Sequence, residues 1–128
     1  MSSAEIDALK AHWRSSRFEW GGANCALSVC DYVRDRTGVD PAAPWRGAYS
    51  DEDSARAILD AHGGLLGLFR YGMEQAGFPE GEAIAGRPVV ARVFGVEAAG
   101  VCAGPRQIFR TERGVLEMRA EVLGAWIV

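Results

Sequence analysis

The chain has 128 residues, of which 48% are hydrophobic and 24% charged, and a formal net charge of −3 at pH 7. This is enough chain for one domain with its own core, and it lacks the run of about 18 apolar residues that a membrane span needs. Its basic residues are scattered rather than striped among aromatics, which argues against a nucleic-acid partner.

Residues 3 to about 17 are predicted as a first helix, because Ile6, Leu9 and Trp13 recur at helical spacing and Ser3 is placed to cap it. Residues 18–24 read as a turn. A second helix is expected from Cys25 to about residue 36, with Leu27, Val29, Cys30 and Val33 as its apolar set and Gly38 near the C-cap. Residues 39–49 hold Pro41 and Pro44 and predict an ordered, irregular loop, with Trp45 and Tyr49 anchoring it on the body. Ser50 is the expected N-cap of a third helix that runs to about His62, with Asp51, Glu52 and Asp53 in its first turn. Gly63 and Gly64 break the chain before a short helix over residues 65–75, which ends at Gly77.

Past a loop at residues 79–86 the pattern changes to strands. They are expected over residues 88–94, 99–103, 107–110 and 115–118, with a closing strand over 125–128. Turns fall at Gly104-Pro105 and Arg113-Gly114. Helices followed by an antiparallel sheet make an α+β plan. One domain is expected over residues 1–128, helical to about residue 78 and sheet-forming from about 87. Residues 1–7 lack the basic-then-apolar order of a signal peptide.

The chemistry-bearing residues are few. Three cysteines, Cys25, Cys30 and Cys102, have no metal-like spacing, so reduced thiols are expected, with no metal centre and no cofactor. Cys25 follows the glycine-rich Trp20-Gly21-Gly22-Ala23-Asn24 and opens a helix, where unpaired backbone N–H groups favour a thiolate. It reads either as an activated nucleophile or as a small buried hydrophobe, the common fate of a free cysteine. Cys30 is five residues on, about 140° around a helix of 3.6 residues per turn, and belongs to the core; so does Cys102 in its apolar strand.

A nucleophilic thiol needs a base and a group that orients the base. Only His12 and His62 are available. His62 precedes the Gly63-Gly64 break and is the candidate base, although both histidines also fit ordinary surface roles. Asp31 reads as a partner for an arginine or as a cap on a neighbouring loop. Phe18, Trp20, Trp45 and Tyr49 either line a cleft beside Cys25 or pack beneath its loops.

The stretch Trp20-Gly21-Gly22-Ala23-Asn24-Cys25-Ala26-Leu27 resembles the start of the nucleophile helix in NlpC-type cell-wall cysteine peptidases, which have a papain-like fold. With Cys30-Asp31-Tyr32-Val33, Thr37-Gly38-Val39-Asp40-Pro41, Trp45-Arg46-Gly47-Ala48-Tyr49, Gly63-Gly64-Leu65 and Ala125-Trp126-Ile127, it is similar to small NlpC-like proteins of prophages and tailed phages, encoded among tail-tip genes. The resemblance implies that Cys25 stands at the nucleophile position, with Asn24 in place of the usual Asp. It aligns the histidine position with Ala98 and the orienting position with a site near Arg110, beside Gln107. Alanine takes no proton, so the resemblance implies a degenerate peptidase with a structural or assembly role in a phage tail tip or baseplate. Its expected partners are other tail-tip proteins and peptidoglycan, and its expected place is the virion, after synthesis in a bacterial host's cytoplasm. The alternative is an active hydrolase that cuts peptide crosslinks of peptidoglycan during genome delivery. A ligand-binding α+β domain without a phage connection is a third reading.

Overall fold

The structure is a computed structural model and describes residues 1–18 and 24–128. The predicted turn over 18–24, with Trp20 and its two glycines, falls largely outside the described residues.

Four helices come first: α1 (Ser3–Ser15), α2 (Cys25–Thr37), α3 (Glu52–Ala61) and α4 (Leu65–Ala76). Five strands follow: β1 (Pro88–Val93), β2 (Val96–Cys102), β3 (Gln107–Thr111), β4 (Gly114–Met118) and β5 (Glu121–Ala125). The α+β order is therefore as expected. The sheet runs β4-β3-β2-β1-β5, and every pairing is antiparallel.

The caps follow local chemistry, shifted from expectation by one residue at two helices. Ser2, not Ser3, caps α1: its hydroxyl accepts the Glu5 N–H, and the Glu5 carboxylate returns to the Ser2 N–H. Asp51, not Ser50, caps α3, because its carboxylate accepts the Ser54 N–H at 2.8 Å. Gly38 and Gly77 end α2 and α4 in the left-handed conformation, which glycine adopts without a Cβ clash.

The fifth strand corrects the sequence reading. It lies over Glu121–Ala125, four residues before the expected closing strand, and Trp126 makes only a single bridge to Glu80. The apolar run at the end of the chain marks where Trp126 plugs the core against Phe69, not where the ladder forms.

Strand alternation sorts the sheet into two faces. Val90, Ala99, Val101 and Ile108 face the helices and join Leu27, Val29 and Val33 of α2 and Leu68, Phe69 and Met73 of α4 in the main core. The other face carries a smaller cluster of Ala91, Val93 and Phe109, with Leu116 and Ala98 against it. There the Phe109 ring covers Gly100, where a Cβ would come within 2.7 Å of the ring. α1 docks on the far edge through buried Trp13 and a Lys10–Glu117 ion pair at 2.6 Å. No described helix is long and apolar enough to cross a membrane.

Candidate functional site

Cys25 is the first residue of α2, so the thiol does sit at a helix N-terminus. Asn24 organises that end: its Oδ1 accepts the Leu27 N–H at 2.9 Å, and its Nδ2 donates to the Tyr49 hydroxyl at 2.7 Å. The Tyr49 ring stacks with Trp45, the two centroids 6.4 Å apart. The loop anchors anticipated from sequence thus become one wall of a cavity of about 140 Å³ beside Cys25.

The remaining walls are mostly aliphatic. Ile58 and Leu59 come from α3, and Leu65 and Leu68 from α4. Glu97 of β2 is the acidic group that lines this cavity. Its Oε1 accepts the Leu66 N–H at 3.2 Å, so it caps α4, whose own N-cap, Gly64, has no side chain to do so.

The expected thiolate activation is not what this surrounding produces. Burial pushes the Cys25 thiol up, and the backbone N–H groups of Ala26 and Cys25 itself, which act in the other direction, do not offset it. Aliphatic neighbours stabilise a charged thiolate less than the water they displace, and this loss exceeds the gain from the helix end. Cys30 and Cys102 are buried, and Cys30 is likewise pushed up, chiefly by burial.

Among the described residues, no histidine lines the Cys25 cavity. His62 closes α3 as its C-cap, with Nδ1 3.0 Å from the Ile58 carbonyl and its ring 5.1 Å from that of Tyr71. His12 lies on α1, along a different groove. Ala98 faces away from the helices, paired with Ala91 and packed against the smaller cluster. Its neighbour Glu97 shares the inward parity of Ala99 and Val101, a signal present in the alternation of the strand.

Arg110 and Gln107 also part company. The Gln107 Oε1 accepts the Ala120 N–H at 2.9 Å and holds the connection into β5. Arg110 points to the helical layer, where its guanidinium donates to the hydroxyl and the carbonyl of Ser16. It borders a groove between α1 and α2 of about 370 Å³ that Cys25 does not line. Asp31 pairs with Arg46 at 2.8 Å and Arg34 at 3.2 Å, the arginine partnership expected of it. Among the described residues, no three His, Cys, Asp or Glu side chains converge on a possible metal position.

A family model described as "Domain of unknown function (DUF6950)" matches residues 3–128. No curated protein and no solved structure matches the chain.

Proposed function

We propose, for a chain that belongs to the DUF6950 family, that this domain is a non-catalytic, NlpC-like component of a phage tail tip or baseplate, retained for assembly rather than hydrolysis. The observation that carries the non-catalytic half is the surrounding of Cys25: a thiol raised by burial in an aliphatic cavity that neither histidine lines. General-base assistance is worth about 10²–10⁴-fold in rate, and amide hydrolysis also needs a proton for the leaving amine.

The tail-tip half rests on the ordered motifs that resemble phage NlpC-like proteins. One structural feature suits an assembly role. The β1–β2 hairpin ends in Phe94-Gly95-Val96, with Phe94 83% and Val96 64% exposed. An aromatic ring held out at a hairpin tip favours a protein contact, because burying it on a partner removes a large apolar area from water.

The test is alkylation of Cys25 across pH, read by peptide mass with Cys30 and Cys102 as comparators, alongside incubation with purified cell wall. Reaction that sets in only above the ordinary thiol value of about 8.5, with no muropeptide released, is the expected result. A midpoint below that value, or fragments released by the wild type and lost in Cys25→Ala, overturns it. That outcome would favour the active hydrolase, for which Cys25 at the N-terminus of α2 is the supporting observation.

A further inference from the structure

The groove between α1 and α2 is lined by two buried side chains, each with one polar atom that has no partner among the described residues. Arg110 and Ser28 are each only 3% exposed, and both line the groove. The two terminal nitrogens of Arg110 are used by Ser16, but among the described residues its Nε has no partner, and neither does the Ser28 hydroxyl. Buried polar groups are rarely left this way, because they have given up water for nothing in return.

Among the described residues, the Arg110 charge likewise has no close counter-charge, and no carboxylate lies within ion-pair distance of it. Asp31 acts on it from farther away but is already shared by Arg46 and Arg34. Asp35 and Arg36 also line the groove, and Arg36 is paired with Glu5 at 3.4 Å. Leu9 and Trp13 of α1 add apolar surface to the groove's lining. A volume of about 370 Å³ lies within the range of small-molecule sites.

We propose that this groove binds a small carboxylate, whose oxygens accept from Arg110 Nε and the Ser28 hydroxyl and whose apolar body lies along Leu9 and Trp13. The donor set decides the class. Two free donors beside one buried positive charge match a singly charged carboxylate. A phosphate dianion would meet Asp31 and Asp35 with only one buried cation to hold it. The carboxylate is that of a free organic acid or of a peptide C-terminus, which share this chemistry. The proposal does not depend on the tail-tip reading, since Cys25 takes no part in the groove.

The experiment follows the Arg110 Nε–H signal by NMR on the full chain, assigned by its loss in Arg110→Lys. Two acids are titrated, benzoate and acetyl-alanyl-alanine, each beside its uncharged amide. A saturable shift with an acid and none with its amide is expected; the acid that binds more tightly names the source. Ser28→Ala should keep the amide spectrum of the wild type and weaken binding about tenfold, the value of one hydrogen bond to a charged group. No shift with either acid at millimolar concentration overturns the proposal. So do equal shifts with acid and amide, or an unchanged affinity in a folded Ser28→Ala.

Discussion

Phe94 occupies the left-handed region at φ +49°, where the other described residues with positive φ are all glycines. With Gly95 at φ +83° it forms a two-residue hairpin turn that normally favours Asn-Gly. A bulky L-residue is strained there by about 1 kcal/mol or more. Phe94→Asn should therefore stabilise the isolated domain by about 1 kcal/mol, read as a higher denaturant midpoint with an unchanged slope. If the exposed ring is kept for a partner, the same substitution weakens that contact. Cys25 makes a related point. Its position was legible from Gly21-Gly22 and the helical pattern that follows, but its ionisation was not. Helix polarity is local, whereas the burial that overrides it comes from α3, α4 and the Trp45–Tyr49 loop, all distant in sequence.

At the scale of elements, two side chains do work that the elements they serve cannot do for themselves. Glu97 caps α4 from β2. Removing it in Glu97→Ala leaves the Leu66 N–H without its acceptor and should cost about 0.5–2 kcal/mol, with faster hydrogen exchange in the first turn of α4. The irregular loop is held by Asp40. Its carboxylate accepts from Arg46 Nε at 2.7 Å and Nη2 at 3.1 Å, and from the Ala42 N–H at 2.9 Å. Burial alone would raise Asp40, but the bonds from Arg46 and Ala42 outweigh it and leave the carboxyl below its ordinary value. The folded state thus binds this proton more weakly than the unfolded chain. The resulting stability is present above the unfolded value of about 3.9 and is lost as pH falls through the lower folded value. Unfolding measured as a function of pH should show a loss in that acid range that Asp40→Asn, already weaker at neutral pH by about 1–2 kcal/mol, no longer shows. The helices were readable, with two N-caps shifted by one residue, because they depend on neighbours three or four residues away; the Phe94-Gly95 turn was not, because Phe94 has the composition of a strand residue. The fifth strand was misread because Trp126 has a strand-like composition but earns its place by packing on Phe69.

For the whole molecule, the loop and α4 meet backbone to backbone. A Cβ at Gly72 would overlap the Pro41 carbonyl oxygen and crowd the Trp45 indole nitrogen at 3.4 Å. Gly72→Ala should cost about 1–3 kcal/mol through overpacking. It should also speed alkylation of Cys25, because the displaced loop carries the Trp45–Tyr49 wall of its cavity; an unchanged rate would mean that this wall does not control access to the thiol. By itself the sequence determined the α+β order, the helix ends and the core faces, since hydrophobic period and capping chemistry act over a few residues. Only the tertiary structure decided that Glu97 rather than Ala98 lines the Cys25 cavity, that His62 stays with Ile58 and Tyr71, and that Arg110 and Ser28 line one groove. Strand register, burial and the pairing of buried charges are set by which distant segments pack together, and no local pattern encodes that.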